Sequence, residues 1–217
     1  MNNTFLHVGC GQKSKSKTTR GFANDAWTEV RFDINPDAKP DIVGTMLDMA
    51  SVKTASMDAI FSSHNIEHLY PHEVPVALNE FKRVLNPEGY VVLTCPDLQS
   101  VCQSIAEGKL TEPLYQSPAG PIAAIDILFG HRASLQRGDL YMAHRCGFTE
   151  NVLSATFQQA GFGAVATIRR PHPFYDLWLL ASVKEQTKES LTKLVQMHFP
   201  LAQQPKAQEP KAQQPEA

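Results

Sequence analysis

The sequence predicts a three-layer α/β domain around a mostly parallel sheet of seven strands, the last of them reversed. Three observations predict it. Short β-branched or aromatic runs bounded by Gly, Pro, Asn or Asp recur at 4–10, 29–33, 41–46, 58–64 and 90–95, and their near-continuous apolar character suits strands covered on both faces. Between the last two runs, HEVPVALNEFKRVL places Val74, Ala77, Leu78, Phe81, Val84 and Leu85 on one helical stripe, and Asn-Pro-Glu-Gly at 86–89 stops it, which makes a βαβ unit. Two final strands, 165–168 and 176–183, are separated only by Arg169 to Tyr175. That is too short for a parallel crossover of a dozen or more residues, so they pair antiparallel.

The remaining elements follow in order. Asp97 can cap a helix whose stripe is Leu98, Val101, Cys102 and Ile105, ending at Gly108. Thr149 caps another, with Val152, Leu153, Thr156, Phe157 and Ala160 inward and Gly161 just past its end. Residues 12–28 follow the first strand where a helix is expected, yet carry almost no stripe and read as a mobile loop. Residues 109–148 spread prolines and glycines around one apolar piece, IAAIDILF; this is long for a connection and suits a cap inserted over a site. In residues 200–217 proline recurs every five positions with one Leu and no aromatic residue, which predicts a disordered, solubilising tail after a domain at 1–199.

Composition narrows the function. Twenty Lys plus Arg against twenty-two Asp plus Glu leave a formal charge of −2, which removes the electrostatic argument for a nucleic-acid or anionic-membrane binder. The longest apolar stretch, Leu177 to Val183, is far short of the roughly 18 residues a membrane span needs, and the N-terminus has neither the charged region nor the apolar region of an export signal. Four cysteines, Cys10, Cys95, Cys102 and Cys146, form no Cys-x-x-Cys pair, so neither a disulfide framework nor a cysteine zinc site is expected. A cytoplasmic protein with a small-molecule partner fits these features.

The chemistry starts at Val8-Gly9-Cys10-Gly11, which leaves the first strand, with Asp33 ending the second strand 22 residues after Gly11. Glycine permits close backbone approach by a ligand at the carboxyl edge of a parallel sheet, and an acid there can accept both hydroxyls of a ribose. A nucleoside-bearing cofactor follows. A dinucleotide site would want a third glycine opening a helix under the pyrophosphate; that position is Ser14.

Taken together, FLHVGCG (5–11), Asp33, GTMLDMAS (44–51), DAIFSSHNIEHL (58–69) and FKRVLNPEGYVVLTCPD (81–97) resemble the class I S-adenosylmethionine-dependent methyltransferases, in their broad type 11 branch, over residues 4 to about 184. The resemblance implies a Rossmann-like methyltransferase fold, S-adenosylmethionine as cofactor, and methyl transfer to an oxygen or nitrogen of a small or glycan-like acceptor. By position it implies that Gly9, Cys10 and Gly11 underlie the methionine and adenosine parts, that Asp33 and Ile34 meet the ribose, and that Thr45, Met46, Leu47 and Asp48 form the adenine loop. Ser63 and His64 fall beside the methionyl end. Two departures stand out: His7 replaces an acid found two residues before the first glycine, and Thr45 replaces the adenine-binding Asp, with Asp48 as a substitute. The stretch 147–162 resembles the late helix of a subgroup associated with polysaccharide or glycoconjugate pathways.

A second pattern competes. His64-Asn-Ile-Glu67-His68 matches the inverted zincin motif, in which two histidines four apart on a helix bind zinc. His64 ends an apolar strand and Pro71 follows closely, so that helix is not expected, and neither is a metal. Within the methyltransferase reading His64, His68 and His144 are candidates for a general base, and Arg145 for an anchor of an acidic acceptor. The doublets His131-Arg132 and His144-Arg145 have a plainer alternative as solvated residues, or as ion pairs with Asp126 or Asp139. A non-catalytic protein that keeps the cofactor fold is a further alternative, kept open by His7 and Thr45.

Overall fold

Strands β1 (Asn3–Val8), β2 (Trp27–Asp33), β3 (Ile42–Val43), β4 (Met57–Ser63) and β5 (Leu85–Pro96) run parallel in the computed structural model, which describes residues 2–200. A short hairpin, β6 (Pro113–Ser117) and β7 (Gly120–Ala123), stands apart from them. Strands β8 (Ala164–Arg170) and β9 (Asp176–Ser182) complete a seven-stranded sheet in the order β3-β2-β1-β4-β5-β9-β8. The reversed strand β9 is antiparallel to both neighbours, as the short connection requires. It lies inside the sheet, where Leu177, Leu179, Leu180 and Ala181 are fully buried, and β8 takes the edge.

Helix α1 (Val74–Val84) buries the expected stripe of Val74, Ala77, Leu78, Phe81 and Val84. It covers one face of the sheet with α5 (Glu150–Gln159), against Leu6, Val8, Ile60, Val91 and Leu93. On α5 only Leu153 and Phe157 are buried; Val152, expected inward, is exposed. In α2 (Leu98–Ala106) Asp97 accepts from the Gln99 amide as the cap, but Cys102 faces solvent while Ser100 and Ser104 share the buried face with Val101.

The opposite face corrects the sequence reading. Residues 12–28 form no α-helix, only a turn of 3-10 helix at Lys15–Lys17, yet the segment is packed and not loose. Phe22 is fully buried and stacks on Phe5 at 4.5 Å. Helix α6 (Lys188–His198), for which the periodicity gave no warning, closes this layer with Phe199 behind it. Thr19 Oγ1 and the Tyr90 hydroxyl lie 2.7 and 2.9 Å from the two ring nitrogens of His198.

The insertion at 109–148 comprises the hairpin, α3 (Ala124–Phe129), α4 (Arg132–Gln136) and a 3-10 turn at Leu140–Met142. Ile122, Ala124 and Ile127 bury against Val101 and Tyr175; Phe129, expected to dock, is exposed. No helix among the described residues is long and apolar enough to cross a membrane. The tail expected at 200–217 lies, from residue 201 on, outside the described residues.

Candidate functional site

Strand order reverses between β1 and β4, and the crevice outside their carboxyl ends is where an open α/β sheet binds ligands. The turn leaving β1 is built for that place. Gly9 and Gly11 have φ of +65° and +51°, a region that side chains disfavour. A Cβ on Gly9 would lie 2.0 Å from Asn65 Oδ1, because Asn65 folds over this glycine and donates to Val8 O at 3.1 Å and Ser63 O at 3.0 Å. Above Gly11 there is open space. Its amide donates to Asp33 Oδ2 at 2.7 Å, while Asp33 Oδ1 accepts from Asn35 N at 2.8 Å. Arg31 holds the same turn from below, donating to the carbonyls of Gly11, Lys13, Ala38 and Lys39.

These groups open on a cavity of about 520 Å³, within the usual range for a small-molecule site. Gly9, Cys10, Gly11, Asp33 and Ile34 line one end. Thr45, Met46 and Leu47 line a second wall, and Ser63, His64 and His68 a third. The insertion supplies Asp139, Tyr141, Met142 and Arg145, so it borders this cavity. Thr45 Oγ1 accepts from the Leu47 amide at 3.3 Å, which shapes this short loop.

Residues 6–93 match the family model of the methyltransferase domain. The match and the strand order together give this chain the fold of the class I methyltransferases. Domains of this class draw the methyl group from S-adenosylmethionine. Among solved structures, the chain superposes on the PH0226 protein from Pyrococcus horikoshii OT3 with a TM-score of 0.57 at 14% identity, over 84% of this chain and 82% of that one. It is also similar to the Burkholderia thailandensis 1,6-didemethyltoxoflavin-N1-methyltransferase, solved with its substrate and S-adenosylhomocysteine, at a TM-score of 0.50 and 15% identity, over 85% and 72% of the two chains. The citrinin polyketide synthase CMeT domain matches at 0.52 and 12% identity over 85% of this chain. The present chain spans 47% of that one, about half its length. No curated protein sequence matches.

Three of the expected site residues lie off this cavity. His7 is on the Phe5 face of β1, buried under Phe61, with Nδ1 2.7 Å from Glu29 Oε1. Burial holds its imidazole below the usual value, and Glu29 works in the opposite direction. The other oxygen of Glu29 accepts from the Lys15 amide at 2.8 Å. Asp48 caps Ala50 N at 3.0 Å and does not line the cavity. His144 also lies off the lining, with Nδ1 2.6 Å from Ile127 O.

The zincin helix does not form. His64 has φ of +56°, and only Ile66–His68 make a 3-10 turn. Glu67, absent from the expected site, is 1% exposed; burial raises its carboxyl, but His64, His68 and His144 outweigh that and hold it below the usual range. Its backbone carbonyl accepts from the amides of Arg145 and Cys146, which ties the turn to the insertion. Arg145 donates to His68 O at 3.2 Å and packs its guanidinium 4.9 Å from the Tyr70 ring centre. Arg132 is committed to Asp126 at 2.7 Å, the plainer of its two readings. Burial lifts the Cys10 thiol to about 11, which disqualifies it as a nucleophile.

Asn65, Arg31 and Glu29 are the positioning groups that sequence reasoning missed. Each acts across elements, and no local spacing marks it.

Proposed function

We propose that the protein transfers a methyl group from S-adenosylmethionine to an oxygen or nitrogen of a small-molecule or glycan-like acceptor. One observation carries the reading: the glycine turn after β1, the Asp33 carboxylate after β2 and the end of the insertion all face one cavity at the point where the strand order reverses. The residues present fit the cofactor. Open space over Gly11 admits the methionine-to-adenosine stretch, each Asp33 oxygen keeps a lone pair for a ribose hydroxyl, and Ile34, Met46 and Leu47 offer apolar walls to a purine.

When bound, the sulfonium supplies a methyl group that needs no further activation. The chain's task is to align the acceptor in line with it and to exclude water, which can contribute roughly 7–11 kcal/mol. Ser63, His64, His68 and Arg145 line the cavity; in this reading the first two meet the methionyl end and the last two meet the acceptor. An imidazole taking the acceptor's proton would add a factor of about 10² to 10⁴ for a hydroxyl.

Calorimetry with S-adenosylhomocysteine tests the cofactor half. Micromolar binding is expected, with none of NAD, because the third glycine is missing. Asp33→Ala should weaken binding by about 1.5–3 kcal/mol. NAD binding without S-adenosylhomocysteine binding would overturn the reading. Radiolabelled transfer into a cell extract, followed by mass spectrometry of the product, then tests turnover and identifies the acceptor.

A further inference from the structure

We propose that Glu67, His68 and His144 form a binding site for one divalent transition-metal ion of the zinc type, at the wall of the cofactor cavity. A carboxylate oxygen of Glu67 and one ring nitrogen of each histidine all lie within 4.8 Å of one another. Bonds of about 2.0–2.2 Å in tetrahedral geometry place ligand atoms about 3.4 Å apart, so closure asks for side-chain rotations on the order of an ångström.

The outer contacts favour an ion. His68 Nδ1 is 3.0 Å from Ala143 O, and His144 Nδ1 is 2.6 Å from Ile127 O. A carbonyl only accepts, so Nδ1 donates in both rings, and in the neutral ring that tautomer leaves the Nε2 lone pair for a metal. Backbone carbonyls that fix the tautomer in this way are the usual support of metal-ligating histidines. The two rings lie 5.0 Å apart between centres.

Glu67 is the independent observation. Its side chain is 1% exposed, and neither carboxylate oxygen has a hydrogen-bond partner among the described residues. His64 Nδ1 stands 3.4 Å from Oε1, close enough for attraction but not a directed hydrogen bond. A buried carboxylate left this way is costly unless it is paired or coordinates a metal. The donor set of two imidazoles and one carboxylate suits zinc-like ions better than magnesium or calcium, and three protein ligands leave a fourth position open. Of the three, His68 lines the cavity, so the site borders it.

The sequence argued against a metal because His64 and His68 share no helix. The third ligand comes instead from the far end of the insertion, held by the Glu67 carbonyl to the Arg145 and Cys146 amides. Holding an acceptor oxygen or nitrogen at the fourth position is a role that rests on the methyl-transfer reading; binding of the ion does not.

The test is a titration of the full chain, stripped with a chelator, with Co²⁺ and no cofactor or acceptor. One equivalent should bind and give visible absorption, and zinc should compete it away. Glu67→Gln and His144→Ala should weaken cobalt binding by more than the 10- to 100-fold that loss of a supporting contact costs, whereas His72→Ala should not. S-adenosylhomocysteine binding to the same samples reports that the variants are folded. Absence of a cobalt band in wild type, or an unchanged band in folded His144→Ala, overturns the proposal. Should both variants lose the fold, X-ray absorption of the wild-type zinc complex decides, with two imidazoles expected and none contradictory. Cobalt binding without S-adenosylhomocysteine binding would sink the methyl-transfer reading and leave the metal site standing.

Discussion

Asp33 and Arg31 hold one turn from two sides, the first through the Gly11 amide and the second through the Gly11 carbonyl. Arg31 does not line the cavity, so its effect on a ligand must be indirect. Arg31→Met would remove its contacts to four carbonyls, of which those of Gly11 and Ala38 are part-buried, and a loss of about 1–3 kcal/mol in stability is expected. Weaker S-adenosylhomocysteine binding should accompany it; a turn that keeps full affinity without Arg31 would show that the Asp33 contact suffices. Gly9→Ala should be worse, since a methyl group there meets Asn65 at 2.0 Å and a disfavoured φ. Its thermal unfolding and ligand affinity should both fall. At this scale the sequence was readable wherever the backbone itself demanded a residue type, as at Gly9 and Gly11. It misled at His7 because a motif position says nothing about which face of β1 a side chain occupies, and alternation puts residue 7 with Phe5, away from the site.

Two elements carry the unexpected results. Segment 12–28 lacks helical periodicity because it anchors through single side chains, chiefly Phe22, which meets Phe5, Trp27 and Phe61. Phe22→Ala should cost about 3–5 kcal/mol, seen as a lowered melting temperature. Helix α6 anchors through His198, whose burial holds its pKa at about 4. The folded chain keeps this ring neutral while the unfolded chain protonates it below about pH 6.5, so stability falls as pH drops from about 6.5 to 4, by up to about 3 kcal/mol. Urea unfolding at pH 7 and pH 5 should show this loss in wild type and a smaller one in His198→Gln; equal losses would assign the pH dependence to other groups. For the insertion, Arg145→Ala should leave S-adenosylhomocysteine binding intact and reduce methyl transfer once the acceptor is known. Equal kcat/KM would place the acceptor elsewhere.

For the whole molecule, the sequence by itself determined the alternation of strands and helices, the reversed last pair and the edge of the sheet where Gly9, Gly11 and Asp33 meet. These are written locally: burial on both faces of a strand, a 3.6-residue stripe, a connection too short to cross over, and a backbone turn that only glycine enters easily. Tertiary structure alone decided that β9 inserts beside β5, that Asn65 closes over Gly9, that Glu29 serves His7, and that His144 reaches Glu67 and His68. Such contacts join residues from different elements, and each side chain's partner is chosen by how the layers and the insertion pack. Packing depends on the shapes of all the faces at once, so no spacing along the chain encodes it.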